Sequence, residues 1–138
     1  MAQGKLFFDL TTPSRPLVSE EVDEVVIPGS LGYFGVLPGH APFLTTVGIG
    51  EVAYRKGREE RYLAVCGGFA EVGPERVILL TEAANLPQEI DRVRAERAKQ
   101  RAEERLAGKS SDEIDYARAL AALNRALTRL QVASRTQK

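Results

Sequence analysis

The residues on the two sides of Leu86-Pro87 belong to different kinds of chain, and any fold must accommodate both. Eleven of the twelve glycines, eight of the nine Phe and Tyr residues, and every proline except Pro87 lie before Pro87. Residues 1–87 carry 7 basic and 11 acidic side chains, while 88–138 carry 12 basic and 8 acidic. A formal net charge of zero hides this division. Such a shift marks a domain boundary, giving expected domains 1–87 and 88–138. The overall balance argues against a generally basic nucleic-acid binder and against an acidic disordered chain.

The first segment reads as β structure. Short runs rich in Val, Ile, Leu and aromatics recur between turn residues. They are Leu6–Leu10, Leu17–Ile27 (one strand or two), Tyr33–Leu37, Phe43–Val47, Glu51–Arg55, Tyr62–Val65, Phe69–Val72 and Val77–Thr81. Breaks are expected at Pro28-Gly29, Pro38-Gly39, Lys56-Gly57, Gly67-Gly68 and Gly73-Pro74. Many short strands at close spacing predict an antiparallel β-sandwich or flattened barrel. Val25 to Gly50 lacks Asp, Glu, Lys and Arg and is long enough to span a bilayer. It holds Pro28, Pro38, Pro42 and six glycines, however, and a lipid-exposed helix does not keep its backbone bonded through such breakers.

The second segment predicts two helices joined as an antiparallel hairpin, so the whole is α+β with two domains. Gln88 to Ala107 is continuous helix-forming sequence, opened by Pro87 and stopped by Gly108. Ser110 and Glu113 fit a capping box for a helix from about Asp112 to Ala133. On that helix Tyr116, Leu120, Leu123, Leu127 and Leu130 form one apolar stripe, expected to pack within the hairpin. Arg118, Arg125 and Arg129 lie opposite, and no acid follows Asp115. On the first helix Arg94, Arg97, Arg101 and Arg105 form a stripe, with Ala95, Ala98, Ala102 and Leu106 as the apolar side. Alanine buries little area at roughly 25 cal/mol per Å², so the hairpin is weakly held and suited to movement.

Little in the chain points to catalysis. Cys66 is the single cysteine, which excludes an internal disulfide, and His40 is the single histidine, which excludes a multi-histidine metal site. His40 has no nucleophile motif beside it and reads as a loop or interface residue. Gly29, Gly32 and Gly35 are not followed by Gly-Lys-Ser or Gly-Lys-Thr, so they are turn residues rather than a P-loop. MAQGKLFFDL lacks the basic region and long apolar core of a signal peptide, so a reducing compartment is expected.

Three motifs, in order and at fixed spacing, carry a resemblance. Gly32-Tyr-Phe-Gly-Val-Leu-Pro-Gly-His-Ala-Pro42 resembles the signature loop of the epsilon subunit of bacterial F-type ATP synthase. Gly67-Gly68-Phe69-Ala70-Glu71-Val72 is similar to a second segment of that family, and Ile90-Asp91-Arg92-Val93-Arg94-Ala95 matches its Ile/Leu-Asp-x-x-Arg-Ala motif. The resemblance implies a non-catalytic subunit of the rotor central stalk in a proton-translocating complex. The sandwich would bind the gamma subunit and rest on the c-ring, with Tyr33 and His40 in the rotor-contact loop; Tyr33 stands where the family often has an acid. The hairpin would lie folded against the sandwich, or extend into the alpha/beta catalytic head and block ATP hydrolysis. There Arg118, Arg125 and Arg129 would meet an acidic loop of the beta subunit. The implied location is peripheral, on the cytoplasmic face of the bacterial inner membrane, through the complex.

Some members bind ATP in the folded hairpin. The matching positions are Ile90, Asp91, Arg94, Ala95, Arg101, Arg125 and Arg129. Arginines converging from two antiparallel helices make a triphosphate cradle. Asn85 departs from the Glu of well-studied ATP binders. No cofactor is required under this reading, and ATP is a regulatory ligand. Three other readings compete: a free nucleotide sensor, a small hydrolase using His40, and a nucleic-acid binder using the basic hairpin. The lack of aromatics in the hairpin counts against the last.

Overall fold

The computed structural model describes residues 4–108 and 113–136. Seven strands precede two helices: β1 (Leu6–Thr11), β2 (Pro16–Val22), β3 (Glu24–Gly29), β4 (Gly32–Val36), β5 (Phe43–Lys56), β6 (Glu59–Val72), β7 (Arg76–Asn85), α1 (Arg92–Ala107) and α2 (Glu113–Ala133). Single 3-10 turns stand at Pro87–Glu89 and Ser134–Thr136. The strands hydrogen-bond in the order β2-β1-β7-β6-β5-β3-β4. All of these pairings are antiparallel except β1 with β7, which is parallel.

Alternation writes the core. Leu6, Phe8 and Leu10 of β1 are sealed, while Phe7 and Asp9 between them are not. The same period in β5 and β7 buries Val52 and Tyr54, and Val77 and Leu79. The ring of Phe8 meets that of Tyr54 edge-on at 5.2 Å. Their strands are three steps apart in the sheet, so the sheet folds over on itself into the expected sandwich. Every member of this core cluster comes from the strands, with Leu86 packed at its margin.

The long strands differ from the sequence reading. Phe43–Val47 and Glu51–Arg55 are one strand, and so are Tyr62–Val65 and Phe69–Val72. Gly67-Gly68 does not end a strand but lets it continue. Register runs Val47 with Gly68, then Ile49 with Cys66, passing over Gly48 and Gly67. Gly67 and Gly68 have φ of +74° and +127°. A Cβ on Gly68 would run into the Leu80 carbonyl oxygen and lie 2.7 Å from Thr81 Cα. Glycine here permits a bend against β7, which lets two 14-residue strands serve both layers.

The helices also differ from expectation. Pro87 opens only a 3-10 turn, Ile90 is extended, and α1 starts at Arg92. Asp91 is its cap, the carboxylate accepting from the Arg94 N–H at 3.1 Å. Gly108 ends α1 with φ −71°, outside the left-handed region, its N–H donating to the Arg105 carbonyl. Ser110, the Glu113 side chain and the start at Asp112 lie outside the described residues.

The hairpin seam is made of alanine. Ala95 and Ala102 of α1 and Ala119 and Ala126 of α2 are buried, whereas Tyr116, Leu120 and Leu127 are exposed. The leucine stripe is therefore not the hairpin's packing face, which corrects the sequence reading; only Leu123 and Leu130 are half-buried. Small side chains let two helix backbones approach closely, and the alanine face wins the contact on that ground. α2 also lies on β5 and β6.

Candidate functional site

The linker sets the site's geometry. In the β1–β2 turn the Thr12 hydroxyl accepts the Ser14 and Arg15 N–H groups. Arg15 then donates two bonds of 2.6 Å to the Glu89 carboxylate. Glu89 also accepts the Leu86 N–H at 2.9 Å. These bonds, those from Arg15 first, hold the Glu89 carboxyl below the usual range. The 3-10 turn is thereby clamped to the sandwich, and α1 departs after the extended residues Ile90 and Asp91.

Between that linker, α1 and α2 lies an open cleft of about 480 Å³. All seven sequence-predicted nucleotide residues line it: Ile90, Asp91, Arg94, Ala95, Arg101, Arg125 and Arg129. Asn85, Glu89, Ala98 and Ala122 complete the wall. Ala98 of α1 and Ala122 of α2 both line it, and their small side chains leave the space open. The one sequence signal for them was the alanine repeat on each helix.

Charge in the cleft is unequal. Four arginines face Glu89 and Asp91, and Arg15 already answers Glu89. Among the described residues Arg94, Arg101 and Arg125 form no ion pair. Arg129 Nε donates to Asn85 Oδ1 at 3.3 Å, so its only described partner is neutral. Converging guanidinium groups with little acidic compensation suit a polyanion. Arg125 and Arg129 are half-buried on the cleft side in this conformation, while Arg118 faces solvent, so the three do not form one exposed patch.

Two further surfaces stand out. At the β3–β4 tip a hollow of about 400 Å³ brings together Tyr33 and His40 with Leu31, Phe34 and Phe43. Leu31 is 98% exposed, which leaves a large apolar side chain with no intramolecular use. His40 Nδ1 lies 2.6 Å from the Ala41 carbonyl oxygen, and its ring leans toward Phe43 at 6.4 Å. No nucleophilic cysteine or serine lines the hollow. The second surface is the outer sheet face, where Thr46, Phe69 and Leu80 stand in register on β5, β6 and β7. Phe69, Leu80 and nearby Leu44 are each more than half exposed. Sequence reasoning did not read these three residues as one surface, although Phe69 lies in the second family motif; the signal was apolar side chains on the outward beat of each strand.

Among the described residues no His, Cys, Asp and Glu cluster is placed to hold a metal ion, and no helix is long and apolar enough to cross a membrane.

Comparison with known proteins follows the same two halves. The family model for the ATP synthase delta/epsilon chain β-sandwich domain matches residues 5–87, and that for its long α-helix domain matches 88–134. The chain is 50% identical over 135 residues to ATP synthase epsilon chain 2 of Syntrophotalea carbinolica, covering 98% of this chain and 97% of that one. It is 48% identical over 134 residues to the ATP synthase epsilon chain of Geobacter metallireducens, with 97% of each covered. Among solved structures, a chain of the Euglena gracilis mitochondrial ATP synthase OSCP/F1/c-ring assembly superimposes with TM-score 0.79 at 23% identity, covering 100% of this chain and 84% of that one. At that identity the likeness bears on the fold alone.

Proposed function

The chain belongs to the ATP synthase delta/epsilon family, and from that premise we propose that it is a non-catalytic central-stalk subunit whose hairpin restrains ATP hydrolysis. It works within a proton-translocating complex, peripheral to the cytoplasmic face of the bacterial inner membrane. The outer sheet face at Leu44, Phe69 and Leu80 seats the gamma subunit, since exposed apolar side chains in register form a flat, dehydratable surface. The hollow at Tyr33 and His40 rests on the c-ring. Rotation is thus transmitted through the sandwich, which has its own core.

The observation that carries the regulatory reading is the alanine seam. It holds the helices by small side chains while Tyr116, Leu120 and Leu127 stay uncovered. A hairpin so held separates readily, and its larger apolar side chains then find cover elsewhere. Extended into the alpha/beta head, α2 meets an acidic loop of beta through Arg118, already exposed in the packed state, and through Arg125 and Arg129, which separation frees from the cleft. The obstacle is steric, so inhibition does not compete with substrate.

The test is ATP hydrolysis by an epsilon-free catalytic head containing gamma. Full-length chain should bind and slow it. A chain ending at Ile90, which keeps the Arg15–Glu89 clamp, should bind without slowing it. Equal inhibition by both would refute the hairpin's role.

The cleft supports a second, compatible reading in which ATP is a regulatory ligand. Its four arginines converge only while α1, α2 and the linker are packed together. A ligand bound there stabilises the packed state by RT ln(1 + [L]/Kd) and so opposes inhibition. Titration of the isolated chain with ATP decides this, and absence of binding at millimolar ATP would remove it.

A further inference from the structure

One carboxylate in the sheet is almost enclosed by the end of the hairpin. Glu51 sits on β5, and its side chain is 10% exposed. Arg135, just beyond α2, donates to it twice, Nε to Oε2 and Nη2 to Oε1, both at 2.8 Å. Gln131 Nε2 donates to Oε1 at 3.1 Å. The Arg135 guanidinium lies 4.3 Å from the Tyr62 ring centroid. The backbone beneath is fixed as well: the Glu51 N–H donates to Tyr33 Oη at 3.0 Å. Gly50 makes room for that contact, since a Cβ there would stand 2.5 Å from Tyr33 Oη.

Among the described residues nothing comparable joins the helices to the sheet elsewhere. Among the described residues this is the one ion pair between the α2 end and the strands. The described partner of Arg129 is the neutral Asn85. The other strong pair, Arg15 with Glu89, holds the linker and is unaffected when the helices leave. The hairpin is therefore fastened at its two ends in different ways.

We infer that Glu51, with Tyr62 and Gln131, forms a releasable clasp on Arg135 that sets how often the hairpin leaves the sandwich. Paired bonds and a stacked ring make the packed state specific in geometry. Rehydration of both charges on release offsets much of their attraction, so the clasp opens at modest free energy. This rests on the proposal that the hairpin separates in function.

Amide hydrogen exchange of α2 in the isolated full-length chain tests it, with circular dichroism confirming that each variant is folded. Glu51→Gln removes the charge at nearly constant shape, and Arg135→Lys keeps the charge without the paired bonds. Each should lower protection of α2 amides, Glu51→Gln by about tenfold, while β1 and β7 keep theirs. Exchanging the charges, Glu51→Arg with Arg135→Glu, should restore part of the loss. Unchanged α2 protection in both single variants, or a double variant no better than either, would overturn the clasp. Inhibition of a gamma-containing head by Glu51→Gln separates the two levels. Faster exchange without stronger inhibition keeps the clasp and rejects the inhibitory hairpin; stronger inhibition without faster exchange rejects the clasp.

Discussion

Enlarging one alanine in the hairpin seam should separate the helices, whereas trimming the leucine beside it should not. Ala126 is 0% exposed, and the next residue, Leu127, is 42% exposed. The four sealed alanines, Ala95, Ala102, Ala119 and Ala126, contribute about 3 kcal/mol together, at about 0.8 kcal/mol per buried methyl. Ala126→Leu adds three carbons to a filled site, and such overpacking costs about 1–3 kcal/mol. One substitution thus rivals the whole seam. The ratio of separated to packed hairpin should rise about 5- to 140-fold, at 1.4 kcal/mol per tenfold. Leu127→Ala removes a half-exposed side chain, and its effect should stay within about 0.5 kcal/mol. Trypsin reads the difference, because Arg118, Arg125 and Arg129 supply cleavage sites along α2. Where opening is fast relative to cleavage, the cleavage rate follows the open population. The sandwich should melt at an unchanged temperature in both variants, since its core contains no helical residue. Faster cleavage in Leu127→Ala than in Ala126→Leu would refute the alanine seam and restore the leucine stripe as the packing face.

Other perturbations reach the sandwich and the linker. Gly68→Ala combines a φ of +127° with a collision against the β7 backbone, and should destabilise the sandwich by more than about 3 kcal/mol in urea unfolding; an unchanged midpoint would exclude the close approach. Asp91→Ala removes the α1 cap and should cost about 1 kcal/mol of helix stability, measured as faster exchange of the first α1 amides. The Arg15–Glu89 clamp has a pH signature. The Glu89 carboxyl is held low, so its stabilisation is full above the ordinary carboxylate range and disappears as pH falls below about 4.5. The pair is largely solvated, so its contribution is small and screened by salt. Arg15→Ala should erase that part of the acid dependence in a pH series of melts, and an identical slope would contradict the clamp.

The two-part architecture was legible because composition changes where the periodicity changes. Glycine, proline and aromatics mark the strands, and uninterrupted helix formers mark α1 and α2. Seven of the residues lining the cleft were named through the family resemblance, not through periodicity, and the linker turn that adds Glu89 to its wall had no such signal. Errors arose where one residue type serves two geometries. Gly67-Gly68 has turn chemistry, yet the same freedom at φ lets β6 bend and continue. Leucine outranks alanine in area, but close approach of two backbones favours the smaller side chain, so the stripe faced outward. Pro87 is a good helix opener, but Asp91 four residues later caps better. The Glu51–Arg135 pair joins residues 84 apart, and no periodicity relates them. Arg15 and Glu89 meet for the same reason, because the fold brings a β-turn beside the linker.

The decisive measurement uses a thiol already in the chain. Cys66 of β6 and Thr128 of α2 line one narrow gap between sheet and hairpin. Thr128→Cys adds a second thiol to that gap, and oxidation, with the disulfide to Cys66 confirmed by mass, fastens α2 to the sandwich. ATP hydrolysis by a gamma-containing catalytic head is then measured with the oxidised and the reduced chain, binding being confirmed for each. A hairpin that must leave the sandwich to inhibit predicts full hydrolysis with the oxidised chain and slowed hydrolysis after reduction. Equal inhibition in the two states would contradict it, because the packed hairpin would then itself be the inhibitory form.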